Sequence, residues 1–126
     1  MKKINSFLIF FLIGLYACSG SDKYRGKWKA MDSKRNKFEI EFSPNSFSVK
    51  DSTGKLTRYS YTQNSYHYEN SVETYGIRLE DGRGYQVYFP KSDDETLALL
   101  KDEHGMPLFT ISRKDYQTYE DVYKLN

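Results

Sequence analysis

The chain has 126 residues, 17% of them aromatic (12 Tyr, 8 Phe, one Trp), and a formal charge of +2. All 17 acidic residues and 17 of the 19 basic ones lie after position 17, so the rest of the chain balances at 17 − 17 = 0. That balance does not suggest a nucleic-acid partner, and one cysteine with two histidines excludes a disulfide framework and means that a zinc site would need unusual ligands. The 109 residues from Cys18 onward (126 − 17) suffice for one domain with a modest core.

The chain opens Met1-Lys2-Lys3 and then runs through Phe7-Leu8-Ile9-Phe10-Phe11-Leu12-Ile13 to Gly14. Two lysines supply a cytoplasmic positive end. The apolar run from Phe7 to Leu15 is shorter than the roughly 20 residues a spanning helix needs. Leu15-Tyr16-Ala17-Cys18 then resembles the lipobox of bacterial lipoproteins. That pattern has an aliphatic residue three before the cysteine and a small one directly before it. Tyr16 departs from the small or β-branched residue usual between them. The resemblance implies a signal peptide over 1–17, acylation of Cys18, and a membrane partner held through its acyl chains. An ordinary secretory signal and an N-terminal anchor are the alternatives. Residues 18–23 read as a lipidated tether, with Ser19-Gly20-Ser21-Asp22 flexible by composition. Ser19, rather than aspartate, follows the cysteine. By resemblance to sorting in some bacteria, this implies the outer membrane of the cell envelope.

Residues 24–126 read as short strands between turn signals. Tyr24 to Met31 is the first strand. Lys37 to Phe42 alternates strictly, so Phe38, Ile40 and Phe42 face inward. Phe47 and Val49 continue the inward row beyond the Ser43-Pro44-Asn45-Ser46 turn. Leu56 to Thr62 and Tyr66-His67-Tyr68 read as two further strands. Val72 to Glu80 places Tyr75, Ile77 and Leu79 on one face, and Asp81-Gly82-Arg83-Gly84 is a hairpin signal. Tyr85, Val87 and Phe89 alternate next. Thr96 to Lys101 is nearly all apolar, as in a strand buried on both faces or one that alternates poorly. Leu108 to Ser112 is the last strand. These connections are too short for crossover helices, so an all-β antiparallel meander of about eight or nine strands is expected, curled into a barrel or sandwich. Tyr116, Tyr119, Glu120 and Tyr123 recur at helical spacing. They predict a short C-terminal helix over 115–125, with Asp115 as N-cap and tyrosines on the barrel wall; a last strand competes.

Gly26-Lys27-Trp28 in the first strand, the long meander, and Arg113 just after the last strand together resemble the lipocalin and calycin barrels. The resemblance implies a small lipocalin-like barrel in which Trp28 closes the floor. Arg113 would stack over it, a structural cation–π contact supplying about 1 kcal/mol. A pleckstrin-homology-like barrel of seven strands with a capping helix is the competing fold; the tail suits it, but one or two strands are surplus.

The lipocalin likeness implies a small apolar ligand in an interior lined by the inward row, with Phe38, Ile40, Phe42, Tyr66, Tyr68, Tyr75 and Tyr85 as candidate binding residues. The same tyrosines suit a protein interface, as in envelope inhibitors, immunity proteins and assembly lipoproteins, or plain cross-strand packing. No enzyme, cofactor or metal is expected. His67 alternates away from Tyr66 and Tyr68, His104 sits in a turn, and Gly-x-Ser-x-Gly is absent. Glu39 and Glu41 alternate against an apolar row, as solvated residues do. Asp93-Asp94-Glu95 lacks the ligand spacing of a calcium loop. Seven bases between Lys23 and Lys37 read as a solvated face or as a patch for anionic headgroups. Replacing Cys18 by Ala is expected to move the protein from the membrane to the soluble fraction on ultracentrifugation; membrane retention after clean signal cleavage would refute the anchor.

Overall fold

Short alternating runs bury their apolar faces when neighbouring strands pair and the sheet curls shut, which also removes its edges. The computed structural model describes residues 19–91 and 93–123. The signal peptide expected over 1–17 and the acylation of Cys18 lie outside them. The strands are β1 (Gly26–Met31), β2 (Lys37–Phe42), β3 (Ser46–Lys50), β4 (Leu56–Glu69), β5 (Val72–Leu79), β6 (Gly84–Phe89), β7 (Leu97–Asp102) and β8 (Pro107–Ser112). Each pairs antiparallel with the next, and β8 pairs with β1, so the meander is a closed eight-stranded barrel. One short helix, α1 (Tyr119–Val122), follows.

The two strands expected between Leu56 and Tyr68 are one strand of 14 residues. Its register slips at a bulge between Gln63 and Ser65, in the gap between those two expected strands. Gly76 lies opposite. A Cβ there would run into the Ser65 hydroxyl and the Asn64 side chain as they are placed, so glycine gives the bulge its room. β4 pairs with β3 up to Ser60 and with β5 from Tyr61 onward. Its far half, with β5, therefore projects as a hairpin lip past the pairing with β3.

The interior is filled by rings. Trp28, Phe42, Phe47, Tyr61, Tyr75 and Phe89 are all buried, and neighbouring centroids lie about 5 to 6 Å apart: Phe42–Phe47 at 5.2 Å, Phe42–Tyr61 at 6.1 Å, Trp28–Phe89 at 6.2 Å. Offset and edge-on rings at such spacing attract beyond their area burial. Arg113 lies over Trp28, with its guanidinium carbon 3.9 Å from the ring centroid. It also donates to the carbonyls of Lys23 (3.2 Å), Arg25 (2.8 Å) and Lys27 (3.3 Å).

β7 is buried on both faces. Ala98 and Leu100 join the core, while Leu99 points outward in a row Tyr88–Leu99–Thr110–Met31. Leu99 is nonetheless fully buried, because the tail crosses this row. Tyr116 sits under the ammonium groups of Lys29 and Lys37 (5.8 and 5.1 Å), and Tyr123 meets Tyr88. The helix is shorter than the one predicted, and its cap is Thr118 rather than Asp115. A capping box joins the Thr118 hydroxyl to the Asp121 N–H and the Asp121 carboxylate to the Thr118 N–H. Val122 is its buried side chain, whereas Tyr119 and Tyr123 pair at 5.2 Å and stay about half exposed.

Trp28→Ala is expected to cost about 3–5 kcal/mol of stability as a large core truncation. Arg113→Ala should cost about 2 kcal/mol through lost stacking and carbonyl bonds, and Arg113→Lys should recover less than half of that, because lysine lacks the planar fork. Urea unfolding midpoints at constant slope measure both.

Candidate functional site

The two ends of the barrel differ, and each carries candidate chemistry. At one end lie the β2–β3, β4–β5 and β6–β7 connections and the chain entering β1. Residues 20–25, of which 20–23 were expected to belong to a flexible tether and Tyr24 and Arg25 to the first strand, are docked across this end as a plug. The Gly20 N–H donates to the Pro44 carbonyl at 2.8 Å. The Arg25 guanidinium donates to the Gly20 carbonyl at 2.6 and 3.0 Å. Gln63 Oε1 accepts from the Ser21 N–H (2.9 Å) and the Tyr24 hydroxyl (2.7 Å). Tyr24 is fully buried, with its ring 5.1 Å from Phe42 and 5.3 Å from Tyr75. Its carbonyl accepts from the Trp28 indole N–H at 2.9 Å, so the plug and the Arg113 stack form one assembly. Gly20 fits only because it lacks a Cβ, which would collide with the Tyr61 hydroxyl and press on that of Tyr24.

An ion network centred on the buried Glu73 completes this end. The Lys23 ammonium lies 2.7 Å from Glu73 and 2.6 Å from Glu95. Glu73 also accepts from the Tyr66 hydroxyl at 2.9 Å and from Tyr75 at 3.5 Å. Burial pushes the Glu73 carboxyl up, but the hydrogen bonds from Lys23 and Tyr66 outweigh it and hold the group below its ordinary 4.5. Hydrogen bonds to Glu73 and Glu95 hold Lys23 above its ordinary 10.5, so it stays charged and is not a nucleophile. Tyr24 is pushed up by burial.

The other end carries the β1–β2, β3–β4, β5–β6 and β7–β8 turns. Its rim is aromatic: Phe38, Val49, Tyr59, Tyr85 and Phe109 are half-buried against the core. Phe38 meets Phe109 edge-on at 5.1 Å. Arg83 lies over Tyr59 (5.4 Å) and Tyr85 (5.9 Å), held by Asp81 at 2.8 Å. Leu56 and Met106 stand exposed on the same turns. A groove of about 530 Å³ opens on the outer wall beside this rim, lined by Met31, Arg35, Met106, Phe109 and Tyr119 among others. A second, of about 600 Å³, lies over the charged outer face of β1–β4.

The seven candidate binding residues do not form one site. Ile40, Phe42 and Tyr75 are sealed in the core. Phe38 and Tyr85 belong to the aromatic rim. Tyr66 (52% exposed) and Tyr68 (56%) sit on the β4–β5 lip at the plugged end. Alternation tells which face a residue occupies, not its height along the barrel axis. Trp28 and Arg113 are brought together. The seven bases are dispersed: Lys23 is ion-paired, Arg25 meets Asp22 at 2.9 Å, and Lys34 and Arg35 are carried by β1 to the opposite end. His67 is exposed beside Glu69, Glu39 faces Lys50 at 3.8 Å, and the Asp94 carboxylate caps Thr96. Among the described residues no three His, Cys, Asp or Glu side chains gather as metal ligands.

Glu73 had a legible signal. It shares the inward face with Tyr75, Ile77 and Leu79, and a carboxylate there needs a partner. Tyr24, an aromatic residue ending a polar linker, also had one. The role of Arg83 had none.

Fold and site together define a closed eight-stranded meander barrel, plugged at one end by its own N-terminal segment. Compared with known proteins, the chain matches no family model, no curated protein and no solved structure.

The network sets a pH dependence. Glu73 has a depressed folded pKa, so its contribution is complete above the unfolded value near 4.5 and is lost as pH falls through the folded one. Lys23 has a raised folded pKa, so its contribution is complete below 10.5 and is lost as pH rises beyond that. Stability from the pair should be flat from about pH 5.5 to 9.5 and fall outside that window. Glu73→Gln should flatten the acid limb in thermal melts between pH 3 and pH 6, about the range over which a carboxyl titrates.

Proposed function

We propose that this protein is a lipid-anchored module of the cell envelope that binds another envelope protein through its aromatic rim. The anchor rests on the lipobox likeness around Cys18, and outer-membrane placement rests on Ser19. The carrying observation is the contrast between interior and rim. The interior is occupied by the protein's own rings and closed by Tyr24. Apolar side chains are left half-exposed at the end farthest from the chain entry.

Aromatic rings, Met and Arg are the residues that anchor interfaces, because each combines large contact area with polar or polarizable reach. Phe38, Tyr59, Tyr85 and Phe109 would supply the buried centre. Leu56 and Met106 would widen the contact, and Arg83 would sit at its edge. A small apolar ligand is the second reading. The half-buried Phe38 and Phe109 favour the rim as its entry, since the other end is plugged.

Exposed substitutions such as Leu56→Glu and Met106→Glu should change stability by no more than about 0.5 kcal/mol. They are expected to abolish co-purification of a defined partner from detergent-solubilised envelope, while Glu39→Lys on the charged wall leaves it intact. Equal capture by all variants would refute the rim. Stoichiometric lipid in the mass spectrum of an organic extract would favour the ligand reading instead.

A further inference from the structure

We propose that the plugged end of the barrel lies against the bilayer, with Tyr66 and Tyr68 at headgroup level and the aromatic rim pointing away. This rests on the acylation of Cys18 proposed above and adds an orientation to it.

The first reason is slack. Gly20 is fixed by Pro44 and Arg25, and only Ser19 separates it from Cys18. Consecutive Cα atoms are about 3.8 Å apart, so an acylated Cys18 stands within about 8 Å of the docked Gly20. A free linker would let the barrel tumble; a link this short holds the end beside Pro44 near the lipid surface. The acylated cysteine proposed above would sit at that same end, which makes the bilayer the occupant that its position names.

The second reason is the chemistry of that end. The β4–β5 lip carries Tyr66 and Tyr68 on one face, paired in register with Tyr75 and Glu73. Both rings are more than half exposed although neither is at a turn. Tyrosine joins an apolar ring to a polar tip, and at a membrane–water interface both find a suitable medium. Tyr66 already has its hydroxyl bound to Glu73, so seating its ring among headgroups strands no donor.

The third reason is charge. Lys23 is neutralised by Glu73 and Glu95, and Arg25 by Asp22. Lys34 and Arg35, which a basic membrane patch would need, are on the far turn. Lys91 and Lys114, the exposed bases that follow β6 and β8 at this end, stand near the Asp94 carboxylate, so contact with lipid is expected to follow from tether and rings and to survive added salt.

The test uses the acylated full-length protein in vesicles of phosphatidylethanolamine and phosphatidylglycerol. Acylation occupies the native thiol, so nitroxide labels attach only at Tyr68→Cys or, in a second variant, Met106→Cys. The ratio of oxygen to nickel-chelate collision rates should rise severalfold for the Tyr68→Cys label on vesicle binding. It should stay unchanged for Met106→Cys, and both results should persist in high salt. Should the two labels stay equally water-exposed while the N-terminal peptide mass shows acyl chains, the orientation is wrong and the anchor stands. An N-terminal peptide without acyl chains overturns the anchor itself. Loss of the Tyr68→Cys signal in high salt, with the protein still bound, would replace the ring contact by an electrostatic one. A flexible Gly-Ser insert between Ser19 and Gly20 should return the Tyr68→Cys label toward water without releasing the protein; an unchanged signal would overturn the short-tether argument.

Discussion

Arg113 sits where the barrel closes. The β8–β1 seam is the last to form along the chain and one of the shortest, with three paired positions against six between β1 and β2. Chain ends fray unless tied down. The Arg113 guanidinium ties both: it leaves the end of β8, covers Trp28 at 3.9 Å, and binds three carbonyls of the segment entering β1. A planar cation with five donors can stack and bond at once, which an ammonium cannot. Through the Trp28 indole, bonded to the Tyr24 carbonyl, the same contact holds the plug residue in register. Core, seam and plug thus share one fastening.

The strand pattern was largely legible in the sequence, because period-two alternation reports directly which side of a sheet a residue faces. Phe38, Ile40 and Phe42 do point inward, and the uninterrupted apolar run of β7 does reflect burial on both faces. What alternation omits is position along the barrel axis. Residues assigned to one interior are therefore divided among a sealed core, an aromatic rim and a projecting lip. The bulge at Asn64 escaped notice because its polar neighbours mimic a loop, and the glycine that makes room for it is 12 positions away, at Gly76. The plug escaped notice because Ser-Gly-Ser-Asp has a linker's composition. Its order comes from tertiary bonds to Pro44, Gln63 and Glu73, which no local reading contains.

The asymmetry of the ends follows from this. An up-and-down barrel of eight strands places both ends of its meander at one end, together with three of its seven turns. Here that end is closed by polar bonds and one buried ring. The opposite end is made of tight turns, and its apolar side chains remain half-exposed. A barrel of eight strands is just wide enough for its interior to be filled by side chains or to hold one small ligand. With Trp28 and six Phe and Tyr rings inside, this one takes the first course.

Tyr24 also weighs on any ligand that would enter the interior through the plugged end. Large aromatic truncations in a core cost on the order of 3–5 kcal/mol, so lifting this ring out of the barrel carries a penalty of about that size. An equilibrium that disfavours the open form by about 4 kcal/mol leaves roughly one molecule in a thousand competent, and apparent affinity falls by the same factor. A ligand would have to recover this from a cavity that the surrounding rings already fill. A partner seated on the rim faces no such penalty: its side of the barrel is exposed in the ground state. The physical bias of the fold is therefore toward its surface, and it originates in a tyrosine placed two residues before the first strand.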